Sequence, residues 1–217
     1  MRKYMIVLGI AAALASVQLF GGAASLPNPE TDVKPAAATQ TAIFAGGCFW
    51  CTEAVFEELK GVKTVVSGYA GGKKQDANYK AVSAGTTEHA ESIKITFDPK
   101  VITYGQLLRV FFETAHDPTT LNRQGPDWGK QYRSVIFYVD DEQKRVAEAY
   151  VAQLTKAKAF PKPIVTQIVP GREFFPAEDY HQDFVKNNPG HPYVVANAIP
   201  KIQKTRKQFP DLVKSAK

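Results

Sequence analysis

The sequence has little cysteine, since Cys48 and Cys51 are the only two in a chain of 217 residues. A secreted protein that relied on structural disulfides would usually carry more than one pair, so a disulfide framework is not expected. Zinc binding is a competing use of such a pair, but the spacings of the four histidines match no common zinc framework: His89, His116, His181 and His191. No metal site is therefore predicted, and the C-x-x-C spacing indicates redox chemistry instead.

The sequence also lacks a strong excess of charge and any internal repeat. It has 27 basic and 21 acidic side chains, a formal net charge of +6. Removal of Arg2 and Lys3 by processing would leave 25 basic against 21 acidic side chains, a net charge of +4. So mild an excess does not indicate nucleic-acid binding. With 217 residues, 44% of them hydrophobic, the chain can bury one full core, which predicts a single domain of enzyme size.

The first residues are typical of an export signal. Arg2 and Lys3 precede an apolar run over residues 5–20, and small residues at 21–25 suit cleavage near Ala24. We predict a signal peptide at 1–24, a flexible linker at 25–40 that is rich in proline and alanine, and one domain at 41–217. The protein would then be exported, to the periplasm or another extracytoplasmic space. An uncleaved anchor helix is the alternative, because about 20 apolar residues would also span a bilayer. No cysteine lies near the cleavage site, which excludes a lipoprotein.

Hydrophobic periodicity predicts an α+β fold. Strands are expected at residues 41–45, 62–70, 91–97, 134–139 and 164–169, and helices from 48, 103 and 140. The core order is strand, helix, strand, strand, helix, strand. That order predicts a two-layer α/β sandwich with a ferredoxin-like split β-α-β core, followed by an irregular C-terminal region.

The two cysteines lie where the first strand turns into the first helix. Unpaired N–H groups and the positive end of the helix dipole favour a thiolate there, so Cys48 is predicted to be the better nucleophile. Cys51 lies one turn further on, close enough to form a disulfide with Cys48. Gly46 and Gly47 would let a ligand approach the sulfur. The alternative is that both cysteines are small buried hydrophobic residues.

Glu91 begins a strand and lies on its apolar face. If it is buried, desolvation raises its pKa and it can hold a proton near neutral pH; otherwise it is a solvated surface carboxylate. Tyr79 and Tyr132 stand in two long polar connections, with Asp127 shortly before Tyr132. Taken separately, these three residues are as well explained by packing or turn formation.

Six segments together resemble the methionine sulfoxide reductase A family. They are GGCFWC at 46–51, GYAGG at 68–72, NYKAVSAGTTEHAE at 78–91, FFETAHDPT at 111–119, NRQGPDWGKQYRS at 122–134 and FFPAEDYHQDF at 174–184. They follow the family's order across most of the chain, and six ordered motifs are far more specific than one.

The resemblance implies a thiol-dependent oxidoreductase that reduces methionine sulfoxide to methionine. The substrate would be the S epimer at sulfur, free or within oxidised proteins, since each epimer has its own enzyme. By the same resemblance Cys48 attacks the sulfoxide sulfur and ends as a sulfenic acid. Phe49 and Trp50 match the aromatic residues that hold the substrate methyl group. Residues 41–217 would form the catalytic domain.

The resemblance also assigns polar groups around the substrate oxygen. Glu91 matches the acid that protonates this oxygen, which makes physical sense because attack on sulfur places negative charge on it. Tyr79 and Tyr132 match the phenols that hydrogen-bond the same oxygen. Asp127 matches a carboxylate on the substrate side.

Two positions depart from the family's usual pattern. Many members have glycine where Cys51 stands and carry recycling cysteines near the C-terminus, whereas this chain has no cysteine after Cys51. Cys51 would therefore attack the Cys48 sulfenic acid to form a disulfide, which an external thioredoxin-like dithiol would reduce. No bound cofactor and no nucleic-acid partner are expected. The chain would act as a monomer. The second departure is Glu88, which would raise the pKa of Glu91 if the two carboxyls were close.

Two other classes of function remain open. A strand, C-x-x-C and helix in that order also mark thioredoxin-type dithiol oxidoreductases, although the glycine before Cys48 and the aromatics between the cysteines are unlike them. A secreted binding module that docks a methionine-like side chain is the non-enzymatic alternative.

Overall fold

The computed structural model describes residues 25–34 and 38–215. Its strands are Gln40–Gly46 (β1), Val62–Ala70 (β2), Ala90–Phe97 (β3), Arg123–Gln124 (β4), Asp127–Trp128 (β5), Ser134–Tyr138 (β6), Gln167–Pro170 (β7) and Phe174–Pro176 (β8). Its α-helices are Phe49–Glu57 (α1), Tyr79–Ser83 (α2), Tyr104–Val110 (α3), Asp141–Lys156 (α4), Phe184–Asn187 (α5) and Ile199–Gln208 (α6). Two π-helical segments, Phe111–Ala115 and Val194–Ala198, continue α3 and precede α6.

Six of the strands form one sheet in the order β7-β6-β1-β3-β2-β8. The four central strands are antiparallel to one another and β8 is antiparallel to β2, while β7 runs parallel to β6. The predicted core order of strands and helices is found, as β1, α1, β2, β3, α3 and β6, with the short α2 added before β3. The α+β class predicted from the sequence is confirmed.

The main core lies between the sheet and helices α1, α3 and α4. Phe44 on β1 is at its centre, with its ring 5.7 Å from Phe56 of α1, 6.0 Å from Tyr104 of α3 and 4.9 Å from Phe111. The opposite face of the sheet carries a smaller apolar cluster that includes Val135. Most of the apolar surface is thus buried on one face, which gives the two layers.

Local signals fix where α3 begins. The Thr103 side chain accepts from Gln106 N, and the Gln106 side chain accepts from Thr103 N, which forms the capping box predicted by their spacing. These bonds satisfy backbone donors that a helix start would leave unpaired.

The two long connections contain short elements that periodicity does not show. Helix α2 has five residues and the hairpin strands β4 and β5 have two each, which is too short for a helix or strand pattern to repeat. Helix α2 begins at Tyr79 because the Asn78 side chain accepts from Ala81 N. The hairpin brings Asp127 toward the end of β1.

The segment predicted as a flexible linker packs against the domain over residues 25–34. Leu26 is buried, and its N–H donates to the Glu113 carboxylate at 3.2 Å. The Asp32 carboxylate accepts from Gly105 N at 2.8 Å and from the Thr103 hydroxyl. A lack of periodicity predicts a lack of regular structure, but it does not exclude individual side chains from docking.

The predicted signal peptide, residues 1–24, lies outside the described residues, as do 35–37 and 216–217. Within residues 25–34 and 38–215, no helix is both long and apolar enough to cross a membrane.

We expect Leu26→Ala to lower the free energy of unfolding by about 2 kcal/mol, because a buried leucine side chain would be replaced by a partly filled space. Urea unfolding of the full chain measures this loss. Leu121→Ala is the matched control, since Leu121 is 66% exposed and its truncation should change stability little. Equal losses in the two variants would show that the segment does not dock in solution.

Candidate active site

The turn from β1 into α1 places Cys48 at the N-cap of the helix. Gly47 has φ +88°, and a Cβ there would lie 2.6 Å from the Gln124 side chain. A Cβ on Gly46 would lie 2.9 Å from the Phe111 ring. Close packing of side chains from two other elements therefore requires glycine at both positions, and access of a ligand to the sulfur stays a prediction.

Cys48 and Cys51 are neighbouring free thiols. Cys51 N donates to Cys48 O at 3.1 Å, so the two residues lie one turn apart at the start of the helix. Cys48 is 8% exposed and Cys51 1%. Both line a cavity of about 430 Å³, together with Asp127, Tyr193 and Lys201. The spacing therefore places the two sulfurs together, as predicted.

The two thiols differ in acidity, in the opposite sense to that expected. Burial raises the pKa of Cys48, and a hydrogen bond to Cys51 and the carboxyl of Glu91 raise it further. The pKa of Cys51 is lowered, first by the hydrogen bond from Cys48 and also by the charge of Lys201. Desolvation thus outweighs the helix dipole at Cys48, and Cys51 is the more acidic thiol of the pair.

Glu91 lies on β3 and is only 2% exposed, so the buried alternative is confirmed. Its Oε2 accepts from Phe49 N at 3.1 Å, at the first residue of α1. Burial raises the pKa of Glu91 to about 8, against the opposing effect of this hydrogen bond, and Asp127 and Cys51 raise it further. The carboxyl therefore carries its proton at neutral pH, and it is hydrogen-bonded to the residue that follows Cys48.

Glu88 has no part in this shift. Its side chain is 77% exposed and pairs with Lys130, which lowers the pKa of Glu88. The proposed repulsion between Glu88 and Glu91 therefore does not arise, because burial, Asp127 and Cys51 account for the raised value.

Trp50 and Phe49 form an aromatic wall with residues from the C-terminal region. The Trp50 indole N–H donates to His181 Nδ1 at 3.1 Å, and its ring stacks on Phe184 at 3.7 Å. The Phe49 ring lies 5.0 Å from His181. Sequence reasoning missed His181 and Phe184 as site residues; the only signal was the family segment at 174–184, where both occur.

Tyr79 and Tyr132 lie beside the same site. The Tyr79 ring is 4.4 Å from His181, and Tyr79 N donates to Glu178 Oε1 at 2.9 Å. Burial raises the pKa of both phenols, and the negative charges of Glu91 and Cys48 contribute in each case. Neither hydroxyl has a hydrogen-bond partner among the residues described, so both can donate to a ligand.

Asp127 is held by a residue that the sequence did not indicate. The Tyr193 hydroxyl donates to Asp127 Oδ2 at 2.5 Å, and the Tyr193 ring lies edge-on to Trp50 at 5.9 Å. Burial raises the pKa of Asp127, while the Tyr193 hydrogen bond lowers it. Tyr193 lines the cavity with both cysteines, and thus joins the aromatic wall to the thiols.

Each of the four histidines makes a hydrogen bond through a ring nitrogen. In the part of the chain that the structure describes, no three His, Cys, Asp or Glu side chains are grouped so as to hold a metal. His116 is buried with Nδ1 2.8 Å from Phe111 O and Nε2 2.7 Å from the Ser134 hydroxyl. Burial lowers the pKa of His116 to about 3, so it is neutral.

The chain is similar to known proteins over nearly its whole length. The family described as peptide methionine sulfoxide reductase matches residues 40–213. A peptide methionine sulfoxide reductase MsrA 2 of Synechocystis sp. is 50% identical over 212 residues, covering 96% of this chain and 99% of the relative. An MsrA 2 of Mesorhizobium japonicum is 56% identical over 181 residues, or 83% and 93% of the two chains. The crystal structure of Mxr1 from Saccharomyces cerevisiae in reduced form is 35% identical with a TM-score of 0.64, covering 73% and 91%.

We expect Glu91→Gln to gain stability relative to the unmodified chain as pH rises from 5 to 8. The folded state holds the Glu91 proton up to about pH 8, whereas the unfolded state releases it near pH 4.3, so ionisation favours unfolding by about 1.4 kcal/mol per pH unit between these values. Glutamine has no such proton. Urea unfolding of both chains at pH 5, 6.5 and 8 measures the difference.

Glu88→Gln is the control, because the pKa of that exposed carboxyl is lowered and its removal should give no upward trend over this range. Glu53 is also buried with a pKa of about 8, but it is present in every chain compared and cancels. A stability difference between Glu91→Gln and the unmodified chain that stays constant with pH would mean that Glu91 is ionised when folded.

Proposed function

The chain belongs to the peptide methionine sulfoxide reductase family, and we propose that it reduces the S epimer of methionine sulfoxide, free or in oxidised proteins, with Cys48 as nucleophile. The protein would thereby repair oxidised methionines. The chain would act as a monomer.

The observation that carries this proposal is the meeting of a thiol and three protonated donors. Cys48 lies beside Glu91, which holds a proton at neutral pH, and beside the Tyr79 and Tyr132 hydroxyls, which have no partner in the described residues. Attack of sulfur on a sulfoxide moves negative charge to the sulfoxide oxygen. Preorganised donors aimed at that oxygen stabilise the charge where it develops.

The aromatic wall suits the other half of the substrate. A methyl-sulfur group is apolar and polarisable, and such groups bind favourably against aromatic rings. Trp50 is held in place by its hydrogen bond to His181 and by stacking on Phe184, while Phe49 is buried. Rigid rings orient the substrate sulfur without losing side-chain entropy on binding.

The chemistry balances with residues at hand. In the first step the Cys48 thiol and methionine sulfoxide give a Cys48 sulfenic acid and methionine, as oxygen moves from one sulfur to the other. In the second step the Cys51 thiol and the sulfenic acid give a disulfide and water. The chain has no third cysteine, so two electrons must then come from an external dithiol, which we propose is thioredoxin-like.

We expect reduced Cys51→Ser protein to form one equivalent of methionine from racemic methionine sulfoxide and then to stall with Cys48 as sulfenic acid. Serine cannot supply the resolving sulfur. Quenched-flow assay of methionine, with mass spectrometry after dione trapping of the sulfenic acid, measures both products. Remaining substrate should be enriched in one epimer.

Cys48→Ser is the control for the same assay and should form no methionine, although its fold is retained. Consumption of neither epimer by the unmodified chain would overturn the proposed function. Strong insulin reduction without any sulfoxide would instead favour a thioredoxin-type oxidoreductase, and unchanged action on a target protein in Cys48→Ser would favour a binding module.

We further propose that the chain is exported and cut near Ala24. The charged start, the apolar run over 5–20 and the small residues after it support this. Ser25 and Leu26 contact Glu113, so a cut at Ala24 would leave the docked segment on the domain. Intact mass of the protein from the extracytoplasmic fraction should correspond to a chain that starts at or next to Ser25. Uncut protein in the membrane fraction would support the anchored alternative.

A further inference from the structure

The cavity at the two cysteines has a basic side, formed by lysines to which the proposed reaction assigns no role. Lys201 and Lys204, both on α6, line it together with Cys48 and Cys51. The Lys204 ammonium is already engaged, because it donates to the backbone carbonyl of Glu113. Lys201 is half-buried, and its ammonium makes no hydrogen bond or ion pair within residues 25–34 and 38–215.

The packing of α6 fixes Lys201 beside the thiols. Ile202, the next residue, belongs to the same apolar cluster as Cys51 and Ala54, so α6 lies directly against α1. A half-buried ammonium with no partner is unfavourable unless it faces negative charge. Three groups in the lining of this cavity can carry negative charge: Asp117, Asp127 and the thiol pair.

The charge of Lys201 acts on two of the groups in this cavity. It lowers the pKa of Asp127, whose carboxylate also accepts from the Tyr193 hydroxyl, and it lowers the pKa of Cys51. Of these two groups, Cys51 is the one whose negative charge the second half of the reaction requires.

We propose that Lys201 is a positioning residue for the second half of the reaction: its ammonium keeps the Cys51 sulfur negatively charged, ready to attack the Cys48 sulfenic acid. This inference rests on the proposed function. Cys51 needs such help because it is almost completely buried, and burial alone disfavours the charged form of a thiol.

The atoms and electrons of this step balance with the groups present. The Cys51 thiolate attacks the Cys48 sulfur, the S–S bond forms, and the S–O bond of the sulfenic acid breaks. Hydroxide leaves and takes a proton from water or a neighbouring acid to become water. Cys51 sulfur is oxidised by one electron equivalent and Cys48 sulfur is reduced by one, and the lysine is unchanged.

The acidities of the two thiols agree with this role. The hydrogen bond from Cys48 and the charge of Lys201 lower the pKa of Cys51, while burial opposes them. Once Cys48 is a sulfenic acid, its thiol proton is gone and that hydrogen bond changes. The contribution of Lys201 stays, because its place on α6 does not depend on the oxidation state of Cys48.

The first test measures the acidity of Cys51 without any sulfoxide. In full-length Cys48→Ser protein, the rate of iodoacetamide alkylation of Cys51 is followed from pH 5 to 10. Adding Lys201→Gln should move the midpoint upward by about one pH unit, as loss of a nearby opposite charge does. Lys201→Arg should keep the midpoint, since it keeps the charge. Lys207→Gln, which removes an exposed charge from the same helix, should also keep it.

The second test measures the resolving step in chains that retain both cysteines. Reduced protein is mixed with one equivalent of methionine sulfoxide, and methionine release and disulfide formation are followed separately by rapid quenching. Below the midpoint, Lys201→Gln should form the disulfide about tenfold more slowly, with methionine release unchanged. A general loss of structure would slow both.

An unshifted alkylation midpoint in Lys201→Gln would overturn the proposal, as would a shifted midpoint with an unchanged rate of disulfide formation. Failure of the unmodified chain to release methionine would instead overturn the proposed function, so the two failures are distinguishable. If Lys201→Gln does not fold, Lys201→Met in the same assays replaces it, because methionine keeps the length of the side chain without its charge.

Discussion

The hydrogen bond from Phe49 N to the Glu91 carboxyl ties the sheet to the first helix, and the site is arranged around it. It joins the strand that carries the acid to the start of the helix at which both thiols lie. The carboxyl is desolvated in the process, which costs folding free energy unless it keeps its proton. The same burial that holds the domain together thus supplies a proton donor next to a nucleophile.

The acidities of the groups in this site differ from those expected if a helix dipole activated the Cys48 thiol. The pKa values of Cys48 and Glu91 are raised, whereas that of Cys51 is lowered. Transfer of oxygen from the sulfoxide to Cys48 suits this arrangement, because that oxygen ends as a hydroxyl on Cys48. In this first step the proton of the attacking thiol and an acid that can relay one supply the hydroxyl proton without bulk water.

The sequence alone identified the site residues whose partners are close along the chain or whose pattern is periodic. Cys48 and Cys51 are placed by spacing, α3 by its capping box, and Glu91 by the alternation of its strand. It could not reach His181, Tyr193 or Lys201, which lie far along the chain in a region with no clear period and join the site only through tertiary packing. The acidity of the thiols was misjudged for the same reason, since it depends on burial and on a charge from α6.

Glu113 connects parts of the protein that sequence order separates. Its carboxylate accepts from Leu26 N, while its backbone carbonyl accepts from the Lys204 ammonium. The N-terminal segment and the C-terminal helix are therefore anchored to the same π-helical turn, whose Thr114 lines the cavity. Unfolding of that one turn would release both contacts, so the two segments share a point of local opening.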